Sequence, residues 1–321
     1  MDTESVQPSQ VSEAIRTIAA TGLRPFLLLS ATLHERMEVD CEGCAGCCID
    51  WRPLTDRDID HERTGPNEAL DDTYNLVPLA REEIRRFVDA GYGDALRPRL
   101  WRADDDRSVT LDGVDVAAID GRPVFFVGLR KPPKPVAPFD RPTTWLRSCV
   151  FLDPTTLQCR IHGEALYPDA CGTYPGENLL LETETECERV ERVHGGRRLL
   201  DAEPPDVTPT FGPGAVGERV FAHPDTDRVA GRVERFRDGD LTAEDRAEFV
   251  AVAAASSPGT LAVNDDRYEA VLERVLRTDS WAGRAIDRWT DAVGAVGERT
   301  TDAPETTAVE DADGAPPTPG W

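Results

Sequence analysis

Apolar positions first recur at helical spacing near the N-terminus. Val11, Ile15 and Ile18 precede Gly22 and Pro25 and predict one short helix, and residues 25–37 predict a second. Thr55 with Asp58 three positions on reads as an N-cap and an acidic first turn. Residues 79–90 are amphipathic, with Ile84, Phe87 and Val88 on one face of a helix. At Ser108 the pattern becomes extended: 109–111, 114–119 and 124–127 predict strands, and Asp120-Gly121 between apolar runs is a hairpin signal. Five prolines in 131–142 predict an extended loop. Apolar and acidic residues alternate over 179–193, which with 197–200 predicts a strand pair turned at Gly195-Gly196, with 182–192 as its solvated face. Helical patterns follow over 225–237, over 242–255 with Thr242 as cap, and over 266–296 in one or two pieces.

These elements predict an α+β fold. A chain of 321 residues, at about 150 residues per domain, is one large or two modest domains. The expected organisation is a helical arm over 1–37, a cysteine-cluster domain over 38–200, a helical extension over 201–299 and a disordered acidic tail over 300–321. The proline-rich stretch 203–213 sets the boundary near 205, and no internal repeat is visible. The longest apolar stretch, 25–29, ends at Ser30, far short of the roughly 20 residues of a membrane span. The acidic start Met1-Asp2-Thr3-Glu4 lacks the basic region of a secretory signal, so the expected site of action is the cytoplasm, with no membrane partner.

Charge narrows the list of partners. Sixty Asp and Glu stand against 36 Lys and Arg, a formal charge of −24, and only Lys131 and Lys134 are lysines. This balance resembles that of proteins from extreme halophiles, in which a dense carboxylate surface stays soluble where salt screens charge. A nucleic-acid binder needs a basic stripe. None is visible, so no nucleic-acid partner is expected, and a protein partner is left open.

The eight cysteines carry the chemistry. All lie between 41 and 187, and four fall in eight residues as Cys41, Cys44, Cys47 and Cys48. In a large chain read as cytoplasmic, clustered thiols point to metal ligation rather than disulfides. The C-x2-C-x2-C spacing lets one loop offer three thiolates to an iron-sulfur cluster, the fourth coming from elsewhere. Gly43, Ala45 and Gly46 let the backbone approach the sulfurs. Cys47 and Cys48, as neighbours, point to opposite sides, so one of them serves a second metal or another edge of the site. Cys149, Cys159 and Cys171 form a sparser second group. Paired C-x2-C knuckles, usual in structural zinc sites, occur only upstream. Iron-sulfur is the preferred cofactor on spacing, with zinc and a redox thiol role left open.

At these residues the chain resembles the CxxCxxCC cysteine-cluster proteins, or YkgJ family, described as zinc- or iron-chelating. The matching blocks are Cys41 to Cys48, Cys149-Val150-Phe151-Leu152, Cys159-Arg160-Ile161-His162 and Cys171-Gly172-Thr173-Tyr174-Pro175, in that order, spanning about residues 39–176. His162 stands where the family has an aromatic, Tyr167-Pro168 replaces Arg-Pro, and Gly172 replaces an arginine. The resemblance implies a metal set of Cys41, Cys44, Cys47, Cys48, Cys149, Cys159 and Cys171. Some relatives resemble flagellin lysine N-methylases, which implies an alternative, an S-adenosylmethionine-dependent protein lysine N-methylase, and leaves the question of an enzyme open.

Other motifs weigh less. Gly212 to Gly217 spells G-x-G-x-x-G, yet no apolar strand leads into it and Pro213 removes an amide. His162 and Cys187 are possible additional ligands, and Trp281 and Trp289 read as packing residues. A closed structural site should be covered by Phe151, Leu152, Ile161 and Tyr174. A reactive one should open on a pocket lined by Asp153, Arg160, His162 and Tyr174. The closed arrangement is the expected one.

Overall fold

The computed structural model describes residues 38–39, 44–56, 68–103, 107–176, 178, 184–195, 200–201, 219–258, 260–296 and 306–319. Its strands are β1 (Glu38–Val39), β2 (Glu68–Ala69), β3 (Leu96–Arg102), β4 (Ser108–Leu111), β5 (Val114–Ile119), β6 (Arg122–Leu129), β7 (Pro133–Val136), β8 (Thr144–Arg147), β9 (Leu200–Asp201) and β10 (Phe221–Ala222). Its helices are α1 (Arg81–Asp89), α2 (Asp169–Gly172), α3 (Glu186–His194), α4 (Val233–Asp238), α5 (Ala243–Ala255), α6 (Asp265–Leu276), α7 (Trp281–Val296) and α8 (Thr306–Ala312). The architecture is α+β. The main sheet runs β10-β6-β3-β5-β4, with β2 against β3, and two small ribbons, β1-β9 and β7-β8, complete the pairing.

The alternating stretch after Ser108 forms the strands its period predicts. Asp120 and Gly121 both take positive φ, 51° and 69°, as do Asp112 (51°) and Gly113 (77°). Two left-handed central residues match the twist of flanking strands, and Asp and Gly tolerate that region. In α1 the buried Ile84, Phe87 and Val88 form the predicted face. Glu83 closes the first turn by accepting from the Ala80 amide at 2.6 Å, and its other oxygen accepts from the Asp169 amide at 2.7 Å, fixing α2 beside α1. Thr242 caps α5 as expected, and the stretch 266–296 is two helices, α6 and α7.

Four expectations are corrected. The proline-rich stretch contributes a strand: β7 pairs with β8 in the register Pro133↔Arg147 to Val136↔Thr144. Prolines at alternate positions leave Lys134 and Val136 as donors, which a two-stranded ribbon accommodates. The segment read as a solvated strand over 182–192 is helical in α3, and Glu186, Cys187, Arg189 and Val190 are buried there. Thr185 and Glu188 form a capping box, with the Glu188 amide donating to the Thr185 hydroxyl at 3.2 Å, which starts a helix in a stretch whose alternation suggests a strand. Of the supposed partner strand 197–200 only Leu200 is among the described residues, and it lies in β9, which pairs with β1. The helix read over 225–237 is restricted to α4, its earlier part being held in turns by Asp225, whose carboxylate accepts from the Asp227 amide.

The fourth correction concerns 300–321. Within this stretch α8 is ordered into the core, and Glu310 is fully buried. Composition predicts disorder because acidic and proline residues bury little apolar surface, but Glu310 meets the buried ammonium of Lys134 at 2.5 Å and the Arg160 guanidinium at 2.9 Å. The helices after 219 also share the core of the sheet: β10 joins β6, and Phe249 packs edge-on against Phe125 at 4.9 Å. Trp281 and Trp289 are packing residues, buried among Tyr92, Phe151 and Trp145. The helices read over 11–37 and after Thr55, the linker 203–213 and the glycine motif 212–217 lie outside the described residues. No helix among the described residues is long and apolar enough to cross a membrane.

Candidate metal centre

The described part of the cysteine loop, Cys44 to Cys48, docks on α3. Ala45 takes a positive φ of 50°, and its carbonyl accepts from the amides of Cys48 (2.8 Å) and Ile49 (3.1 Å), closing a tight turn. The Gly46 amide points to the Cys44 sulfur at 3.4 Å. A Cβ at Gly46 would stand 2.7 Å from Cγ2 of Val190, so the loop lies directly on α3 at this point. That contact brings Cys187, on the buried side of α3, toward Cys47.

The second cysteine group is carried to the same place by backbone pairing. The Cys149 amide donates to the Cys48 carbonyl at 2.7 Å, and Ile49 bridges Ser148. Leu152 bridges Cys159, which returns the chain beside Cys149, and Cys171 sits on α2. Thiols from 44–48, 149, 159, 171 and 187 thus converge although well over a hundred residues separate the first from the last.

Their electrostatics record that convergence. Burial raises the Cys47 thiol well above its ordinary value, and Cys187, Cys48, Glu186 and Cys44 push it further. Burial also raises Cys171, followed by Cys48, Cys149 and Cys159. Cys159 is pushed up to about 12 by burial and by Cys149. Cys47 thus lies near Cys187, Cys48 and Cys44, and Cys171 near Cys48, Cys149 and Cys159. Lys131 stands between the groups: its buried ammonium donates to the Cys47 carbonyl at 3.0 Å, and burial lowers its proton affinity against the pull of Cys48, Cys149 and Cys47.

A second layer surrounds Cys47. Glu186 accepts from the Trp51 indole at 2.5 Å and the Tyr74 hydroxyl at 2.5 Å, and its other oxygen accepts from Arg189 at 3.1 Å. The Tyr174 hydroxyl accepts from the Glu186 amide. Burial, then Cys47 and Cys187, raise the Tyr174 phenol, which keeps it protonated. This carboxylate hub escaped the sequence reading because it was assigned to a solvated strand; the T-x-x-E signal at Thr185 would have placed it on a helix.

Of the residues proposed to line an opening, Arg160 and Asp153 pair with one another at 2.9 Å, and Arg160 also donates to the Pro316 carbonyl at 2.6 Å. Arg160 serves the docking of the C-terminal segment, and Asp153 holds its guanidinium. His162 lies edge-on to Tyr167 at 4.9 Å. Phe151 is buried against Phe87, Tyr92 and Trp281.

The donor chemistry fits a thiophilic ion or an iron-sulfur cluster: the thiols are numerous, convergent and neutral only while protonated. No disulfide joins any two of the described cysteines. Among the described residues no group of three or more His, Cys, Asp or Glu side chains is placed so as to hold a metal ion, and Cys41 lies outside them.

A family described as of unknown function, DUF7531, matches residues 37–321. No curated protein matches the chain. No solved structure matches it either.

Proposed function

Since the chain belongs to DUF7531, a family without an assigned function, we propose from its own residues that it is a cytoplasmic metal-binding protein whose cysteines hold an iron-sulfur cluster. The observation that carries this is the convergence of thiols from the 44–48 loop, Cys149, Cys159 and Cys171, with Cys187 of α3 beside them. Thiols massed in a buried place repel one another once ionised, and a bound cation removes that repulsion while displacing their protons. The resemblance to the CxxCxxCC cluster family supports the same set: Cys41, Cys44, Cys47, Cys48, Cys149, Cys159 and Cys171 would hold the metal. Bound there, the group would supply a covalent staple between distant segments and, as a cluster, a one-electron couple.

The remaining residues have supporting roles. The Gly46 amide softens charge on the Cys44 sulfur. Lys131 offsets part of the thiolate charge through its position at the Cys47 carbonyl. Glu186, tied down by Trp51, Tyr74 and Arg189, fixes the end of α3 that presents Cys187.

Anaerobic purification followed by metal and acid-labile sulfide analysis is the test. Iron with matching sulfide is expected, and it should be lost in Cys47→Ser and Cys149→Ser variants together with a fall in melting temperature. Zinc without sulfide would replace the cluster by a structural zinc site. Protein free of both metals, with melting unchanged by chelator, would overturn metal binding altogether.

A further inference from the structure

The sharpest departure from the acidic character of the chain lies beside the thiols. A cavity of about 750 Å³ is walled by Arg97, Arg130, Lys131, Arg147 and Arg246, with Trp145 and Ile286 among its apolar residues. With Arg52 at the rim, six cations and four carboxylates line this cavity in a molecule of formal charge −24. Among the described residues, none of Arg130, Lys131, Arg147 and Arg246 has a carboxylate at ion-pair distance. Arg130 donates to the Asp94 carbonyl at 3.1 Å and Arg246 to the Leu241 carbonyl at 2.5 Å, contacts that orient the guanidinium groups without neutralising them.

The acids in the cavity wall offset this group only in part. Asp50 and Asp72 are both engaged by Arg52, at 2.6 and 2.9 Å, and Asp238 pairs with Arg237, which leaves Asp240 as the one acid of the wall facing Arg97, Arg130, Lys131, Arg147 and Arg246. Arg97, only 9% exposed, reaches Asp71 at 3.4 Å, but Asp71 is held closer by Arg99 at 2.9 Å, and the Arg97 Nε has no hydrogen-bond partner. Burial and then neighbouring arginines lower the proton affinity of Arg130, with Asp287 and Asp94 pulling only partly the other way. The excess of positive charge is a cost to the folded protein that nearby carboxylates offset only in part, and sites that bind charged ligands accept costs of this kind.

We infer that this cavity binds a phosphorylated organic small molecule, its phosphate against Arg130, Arg246 and Arg147 and its body along Trp145 and Ile286. Guanidinium forks match the geometry of phosphate oxygens, and one dianionic group can satisfy several forks at once. The volume falls in the range of about 300–1,000 Å³ usual for small-molecule sites. A polynucleotide is disfavoured because the cations line a cavity of an otherwise acidic molecule. The inference does not depend on the metal.

Calorimetry on the full-length, metal-loaded protein tests it, in the lowest KCl concentration that keeps the chain folded. The titrants are phenyl phosphate, inorganic phosphate and benzoate. Saturable one-site binding of phenyl phosphate is expected, weaker for inorganic phosphate and weakest for benzoate. The Arg130→Gln/Arg246→Gln double variant should lose about tenfold or more in affinity, as expected for hydrogen bonds to a charged group. Without ligand it should melt no lower than the parent, because mutual repulsion has been removed; arginines with only a structural role would give a lower melting temperature. If the double variant does not fold, the exposed Arg147→Gln replaces it and should also weaken binding. Absence of phenyl phosphate binding, equal affinity in the substituted protein, or benzoate binding as tightly would each overturn the inference.

Discussion

The two lysines show how side-chain chemistry decides position. In a chain whose other basic residues are all arginine, Lys131 is 5% exposed and Lys134 fully buried. Lys134 donates to the carbonyls of Val150 (2.8 Å) and Leu152 (2.7 Å) as well as to Glu310. A compact ammonium with three radial donors fills such a cage, whereas a planar guanidinium is built for forked partners. Glu310 is the other half: two buried cations, Lys134 and Arg160, depend on it. Removing one member of a buried charge group typically costs about 3–5 kcal/mol. Glu310→Ala should therefore lower stability by that order, read as a shift of the denaturant midpoint with unchanged slope. A cost no larger than about 1 kcal/mol, the usual worth of an exposed pair, would show that α8 does not dock as described. Nothing in the local sequence distinguishes Glu310 from its acidic neighbours, because its partners lie about 150 residues upstream.

Among the elements, the contact between the cysteine loop and α3 is the critical one. It rests on Gly46, where a Cβ would stand 2.7 Å from Val190 and 3.3 Å from the Cys44 sulfur. Gly46→Ala should destabilise the protein by about 1–3 kcal/mol, the usual cost of overpacking, and should reduce metal content along with it. Val190→Ala alone opens a cavity and also destabilises. Combined, the two substitutions should cost less than their sum, since each relieves the other, and a double-mutant cycle measures that coupling. Strict additivity would contradict the docking of the loop on α3. Sequence reading found the loop from its spacing but placed its support on a strand. The alternation of acidic and apolar residues over 182–192 is compatible with either period, and only the Thr185–Glu188 capping box, formed in the folded chain, decides for a helix.

For the whole molecule, charge sets the conditions under which the fold is stable. Sixty carboxylates against 36 basic residues repel one another in dilute buffer, and at 1 M salt screening shortens their range to about 3 Å. The melting temperature should therefore rise from dilute buffer to molar KCl. The buried groups Lys134–Glu310–Arg160 and Asp71–Arg99, shielded from solvent, should lose little over the same range. A melting temperature independent of KCl would remove the link to high salt.

What the sequence determined by itself follows from local periodicity and covalent geometry. The strands after Ser108 and their Asp-Gly turns, the amphipathic α1 and the Thr242 cap each depend on residues a few positions apart. Cysteine spacing likewise singled out the thiols on which the proposed metal site rests. Tertiary structure decided the rest: the hub at Glu186, the docking of α8 and the gathering of arginines around one cavity. Each of these joins residues distant in the chain, and their energies, from burial, ion pairing and mutual repulsion, exist only once the fold has brought the partners together.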